Sequence, residues 1–297
     1  MNRFFLLTAA LVAVASGVAQ AHGIAGDRVF PATLTIDDPA VGDELSLPTF
    51  STIHNGAAAD GSAPGSREFD VGAEWDKTIT ESFGLAINLD YTHLFQDGGG
   101  EVGGWQDVVL TAKYQAYVNP EHEFMASVGV IRDLGGTGAA AVVNNGGIGS
   151  TTPTVYFGKG LGDLPIGDLR PLAVTGELGY QVSDQSSVSA NQWNVGWSLQ
   201  YSIPYLQQHV QDLGLPALVA GLTPLVEVNL VIPSGAGGGQ TTGTIAPGLL
   251  YDADTWQFGV EALIPATRAT NTGVGMIAQL HFFLDDIFPT TLGKPLL

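Results

Sequence analysis

The chain has 297 residues, of which 45% are apolar and 13% charged, with 40 glycines and no cysteine. Twenty-nine acidic against ten basic residues give a net charge of −19, which repels nucleic acid, and the missing cysteine excludes disulfides, thiolate metal sites and a lipidated N-terminal cysteine. So apolar and weakly charged a chain is not disordered, and so much glycine disfavours a helix-rich enzyme.

Residues 1–21 read as an export signal: Arg3 is the positive start, Phe4 to Val14 the apolar stretch, and Ala19-Gln20-Ala21 the small-residue cleavage site. Cleavage would leave His22 as the first residue. Its amine and imidazole have no second ligand at a metal-binding spacing, so no metal and no cofactor are expected. Residues 22–44, with Asp37-Asp38-Pro39, are expected to form a periplasmic N-terminal segment without its own core; whether it tucks inward stays open.

From residue 45 onward the pattern has period two. Phe83, Leu85, Ile87, Leu89 and Tyr91 oppose Gly84, Ala86, Asn88, Asp90 and Thr92. Leu172, Val174, Leu178, Tyr180 and Val182 oppose Thr175, Glu177, Gly179, Gln181 and Ser183. Trp193, Val195, Trp197, Leu199, Tyr201 and Ile203 oppose Gln192, Asn194, Gly196, Ser198, Gln200 and Ser202. Near the end, Trp256, Phe258, Val260, Ala262 and Ile264 oppose Gln257, Gly259 and Glu261.

Twelve strands are predicted: 45–54, 67–78, 83–94, 105–118, 122–133, 151–160, 171–183, 191–203, 218–232, 242–251, 255–265 and 272–284. Pro48 and Pro153 weaken the first and sixth, because proline donates no ladder hydrogen bond, and a ten-strand count stays open. No stretch is apolar enough for a spanning helix; Ala217 to Ile232 holds Pro224, Glu227 and Asn229. Aromatic rings near strand ends, strands about 9–11 residues long and connectors that alternate in kind point instead to a transmembrane antiparallel up-and-down β-barrel. The barrel is assigned to residues 45–288 and a periplasmic tail to 289–297.

The polar face would line the lumen. Glu68, Asp70 and Glu74 share one strand, followed by Asp90, Asp107, Lys113, Glu177, Gln200, Glu227, Glu261 and His281. They suggest either a narrow acidic pore favouring cations or neutral solutes, or acids neutralised by Lys113, Arg67 and Arg132 in a wet plug. Catalysis is not expected: the six histidines are scattered, and nothing in the spacing pairs Ser198 or Ser127 with His281 or His93. Gly98, Gly100 and Gly103 match a dinucleotide fingerprint literally, but a strand follows where that fold needs a helix.

His22-Gly23 with Phe30-Pro31, Pro247-Gly248-Leu249-Leu250-Tyr251, Trp256-Gln257-Phe258-Gly259-Val260-Glu261 and Ile264-Pro265 resemble proteobacterial outer-membrane barrels grouped with the MetA-pathway proteins of phenol degradation, which are labelled as transporters. The resemblance implies an outer-membrane location and passage of small organic compounds, aromatic ones included; it carries no catalytic residues. The expected partners are therefore outer-membrane lipid, a small-molecule solute and, during insertion, the barrel-assembly machinery. The alternative is a barrel that transports nothing and serves structurally or binds a partner.

Overall fold

A computed structural model describes residues 23–57, 64–235, 238–270 and 272–297. The export signal and His22 lie outside the described residues.

A small hairpin comes first, β1 (Gly23–Ala25) with β2 (Arg28–Phe30). The wall follows: β3 (Glu44–Asn55), β4 (Ser66–Thr80), β5 (Phe83–Gln96), β6 (Glu101–Trp105), β7 (Val109–Asn119), β8 (Phe124–Asp133) and β9 (Ser150–Gly160). It continues with β10 (Leu172–Ser183), β11 (Gln192–Tyr201), β12 (Leu222–Pro233), β13 (Thr242–Asp252), β14 (Trp256–Pro265) and β15 (Gly275–Phe283). Wall strands pair antiparallel with their sequence neighbours, except that β6 pairs with β5 alone, and β15 pairs with β3, so the sheet closes on itself. β6 and β7 both pair with β5 and act as two halves of one wall strand, which makes a closed twelve-stranded barrel. No helix among the described residues is long and apolar enough to cross a membrane.

The predicted strands sit where expected, with local differences that have chemical causes. The strand expected over 105–118 breaks at Gln106 to Val108, because the Asp107 carboxylate accepts the Gly138 amide at 2.7 Å and pins the 134–149 connector there. The strand expected over 191–203 stops at Tyr201: the Ser202 hydroxyl caps a helical turn, α1 (Ile203–Tyr205), by accepting the Tyr205 amide at 3.1 Å. The start expected at 218 is a second turn, α2 (Ala217–Ala220). Pro48 is absorbed by an irregularity between Ser46 and Thr49, and Pro153 pairs with Val130 inside a continuous β9. β15 ends at Phe283, and a third turn, α3 (Leu284–Ile287), leads into a tail that returns to the wall: the Leu296 and Leu297 amides donate to the Thr78 and Ile79 carbonyls.

The two faces have opposite chemistry. Outward positions such as Leu199 (41% exposed) and Phe258 (43%) are large and apolar, whereas inward Glu227 (0%) and Glu261 (1%) are buried acids. A water-soluble barrel puts its apolar residues inside; this one is inverted, as hydrocarbon around the wall requires.

The sequence left the place of the N-terminal segment open. Residues 23–43 lie inside the barrel, not beside it. Leu34, Ile36 and Phe30 press on the inward glycines Gly259, Gly196 and Gly158, where a Cβ would come within 2.5, 2.5 and 3.0 Å of them. Phe30, Ala25 and Ala40 form a buried cluster with Met125 and Ala173 of the wall.

Candidate functional site

The lumen is built by alternation, which sends every second residue of each strand inward. On β4 the inward row runs through Glu68, Asp70, Gly72, Glu74 and Asp76, and it faces Asp90 of β5. Gly72 is required there: a Cβ would lie 2.2 Å from an Asp90 carboxylate oxygen.

These side chains line a cavity of about 580 Å³ between the plug and the strands β3, β4, β5, β7 and β15. Glu44 and the plug residues Asp37 and Asp38 join the acids, while Lys77 and Lys113 are its two lysines. Asp70 accepts from the Ser51 and Thr92 hydroxyls at 2.8 and 2.6 Å, Glu68 from the Asn55 amide at 2.6 Å, and Glu74 from Asn88 at 3.3 Å. These donors are all neutral, so they satisfy the carboxyl oxygens and bring no compensating charge. Both lysines are already committed. Lys113 donates to Asp37 at 2.7 Å and to the Asp38 carbonyl at 3.0 Å, and Lys77 pairs with Asp43 and caps the Leu292 and Lys294 carbonyls.

The other arginines named from the sequence do not neutralise this row. Arg132 forms a forked pair with Asp184 at 2.8 and 2.6 Å on the exposed rim, and Arg67 is exposed one step out of phase with Glu68. The Arg132 guanidinium, hydrogen-bonded to it, holds the Asp184 carboxyl below the usual range.

The remaining candidates separate into two groups. Glu177, Gln200, Glu227 and Glu261 are on inward positions of β10 to β14, but the plug covers that side. The Asp37 amide reaches Glu177, and Thr35 donates to Glu227 through its amide at 2.6 Å and its hydroxyl at 2.7 Å. Gln200 stays within the wall, bonded to Ser198 at 2.8 Å. Asp107 is spent on the 134–149 connector and does not line the cavity.

His281 lines the cavity between two partners that sequence spacing missed. The Ser46 hydroxyl is 2.8 Å from Nδ1, and a Glu44 carboxylate oxygen is 3.1 Å from Nε2. Register makes this contact, since Ser46 pairs with His281 and Glu44 with Phe283 across β3 and β15. No group of three or more His, Asp or Glu among the described residues is arranged to hold a metal ion.

Both ends of the cavity are restricted. On one side lies the plug, whose Arg28 pairs with Glu123 at 3.2 Å and with the Pro171 carbonyl at 3.0 Å, and whose Pro39 carbonyl accepts the Ser127 hydroxyl. On the other, the 134–149 connector folds over the inward position Gly104: a Cβ there would meet Ala139 at 2.4 Å and Val142 at 3.1 Å, and Gln106 donates to the Val142 carbonyl at 2.8 Å.

Fold and lumen together define a closed twelve-stranded antiparallel β-barrel of the outer-membrane type, with a polar interior and an internal plug. Among solved structures, an outer membrane channel from Pseudomonas putida F1 superposes with a TM-score of 0.54 at 13% identity, over 84% of this chain and 99% of that one. KdgM porin gives 0.46 at 11% identity, over 79% of this chain and 98% of that one. A Salmonella typhi outer membrane phospholipase gives 0.40 at 8% identity, over 80% and 90%. Only the first is close enough to bear on the fold. No family model and no curated protein matches the chain.

Proposed function

We propose that this protein sits in the outer membrane of a Gram-negative bacterium, exported through the periplasm, and acts as a passive channel for small solutes with a bias toward cations. The observation that carries this reading is the inversion of the wall, apolar outside and acidic inside, around a cavity whose lysines are already paired. Carboxylates in a narrow lumen attract cations and repel anions. Small organic compounds, aromatic ones included, are the solute class the family resemblance suggests; the apolar residues Leu34, Ile36 and Ile277 in the same cavity give such compounds a surface to slide on. Lipid surrounds the wall, and the barrel-assembly machinery is the expected partner during insertion. No chemical step is part of the proposal, so a serine-directed phosphonate probe should leave Ser46 unlabelled.

Purified protein in a planar bilayer should give discrete current steps, and a salt gradient should produce a reversal potential of cation-selective sign. Anion selectivity would overturn the acidic-lumen reading. The plug favours a second reading, a barrel that serves structurally, because residues 23–43 occupy much of the bore; persistent silence across voltage and pH would select it.

A further inference from the structure

Across the lumen from the open cavity, two buried acids meet, and no cation among the described residues pairs with either. Glu227 of β12 pairs in register with Ala246 of β13, and Glu261 of β14 pairs with Gly248 two residues further along β13. Both β13 positions are small, so the two long side chains reach each other over an almost bare strand. Their carboxyl groups lie within hydrogen-bonding reach of one another. Gly248 permits this: a Cβ there would stand 2.4 Å from Glu261 Cγ.

The two oxygens of Glu227 differ. Oε2 accepts both the Thr35 amide and the Thr35 hydroxyl from the plug, whereas Oε1 has no hydrogen-bond partner among the described residues. Neither oxygen of Glu261 has one. Charged neighbours do not help. Glu177 on β10 faces Glu227 and adds a like charge, Asp37 of the plug lies beside Glu177, and Lys113 on β7 is committed to Asp37. The facing residues of β11, β13 and the nearby plug, Ser198, Ala246, Gly248 and Thr33, are uncharged. Two buried carboxylates in contact repel strongly, so something positive must lie between them. A metal ion fits poorly. Calcium takes six to eight oxygens and magnesium keeps several waters, while three unpartnered carboxylate oxygens are available here. A proton needs only two.

We propose that Glu227 and Glu261 share one proton and, with Thr35, form a pH-sensitive clasp that fastens the plug to the wall. The hydrogen bonds assign the roles. Glu227 accepts two donors and is the carboxylate; Glu261 accepts none and carries the proton, donating it to Glu227 Oε1. Loss of that proton leaves two adjacent charges under the plug, and the pair can separate or hydrate only if the segment around Thr35 lifts. The clasp therefore loosens as pH rises.

Amide hydrogen exchange of the full chain in lipid bilayers tests this at Thr35, whose amide makes the Glu227 contact. After correction for intrinsic exchange, its protection should fall roughly tenfold per pH unit above the ordinary carboxylate range, where the released pair ionises and the closed pair does not, and level off once the closed pair ionises too. Glu261→Gln keeps a donor toward Glu227 and removes the titration, so the fall should vanish while protection stays. The infrared spectrum of the wild type minus that of Glu261→Gln, a subtraction that cancels the contribution of every other carboxyl, should show a protonated-carboxyl band near neutral pH. Should that variant fail to fold, the wild-type exchange profile decides alone. A pH-independent profile, a difference spectrum with no protonated-carboxyl band lost in Glu261→Gln, or a clasp released by EDTA would overturn the proposal. Any effect on solute passage rests on the channel reading, but exchange and infrared do not require conduction: a pH-linked clasp in a barrel that never conducts would support the clasp and sink only the channel.

Discussion

Arginine at Leu178 separates the two solvents that the outer face could meet. Leu178 lies at the middle of β10, flanked in register by Val155 and Val195, and its side chain is 44% exposed. In water, a substitution at so exposed a strand position changes stability by about 0.5 kcal/mol or less. In lipid, an arginine near the midplane of a barrel wall costs about 2–4 kcal/mol, and the penalty falls to about 0–1 near the interfaces. Leu172, on the same face at the end of the same strand, supplies the control at a shallow depth. Reversible denaturant unfolding of Leu178→Arg and Leu172→Arg from phosphocholine vesicles should give a large loss at the first site and a small one at the second. Equal, near-zero losses at both sites would refute the assignment of faces.

Other consequences follow from the lumen and its ends. Lys113→Met removes the cation between Asp37 and the wall; Asp37 keeps a 38% exposed side chain and can rehydrate, so plug docking should weaken by about 1–3 kcal/mol, seen as faster proteolysis of the N-terminal segment with β-structure retained. Gly196→Val places a Cβ 2.5 Å from Ile36 and 2.9 Å from Glu177, so it should expel the plug at a cost of about 1–3 kcal/mol and raise conductance. Asp90→Asn should move the reversal potential in a salt gradient toward zero, since Asp90 faces the cavity. Burial, then the charge of Asp286, pushes the Asp285 carboxyl up to about 7. The folded state then holds this proton more tightly than the unfolded one, so its stabilisation is full below about pH 4 and is lost as pH rises to about 7; Asp285→Asn should flatten that part of a plot of Tm against pH.

The barrel was legible because a wall strand announces itself locally: neighbours two apart share a solvent, and Trp193 to Tyr201 or Phe83 to Tyr91 suffice to show it. Strand ends were less so, because they depend on single side chains such as Ser202 capping a turn or Asp107 holding a distant amide. The plug was the least legible part. Residues 23–43 lack a period, and their partners are far away in sequence: Asp37 meets Lys113, Thr35 meets Glu227, and Gln257 donates to the Ala32 carbonyl. Asp76 could have been found by extending the alternation of Glu68, Asp70 and Glu74 by one step. Ser46 could not, since the irregularity between Gln279 and His281 where β15 pairs with β3 hides which residue reaches His281.

All five tryptophans, Trp75, Trp105, Trp193, Trp197 and Trp256, are exposed on the outer face. Fluorescence quenching in bilayers whose acyl chains carry bromine therefore reads the solvent of the wall directly. Single-tryptophan variants should be quenched by the lipid and shielded from aqueous iodide, with Trp197 responding to bromine deepest in the chain and Trp193 and Trp256 to bromine near the headgroups. Quenching by iodide alone, at every position, would contradict the claim that this barrel stands in a membrane.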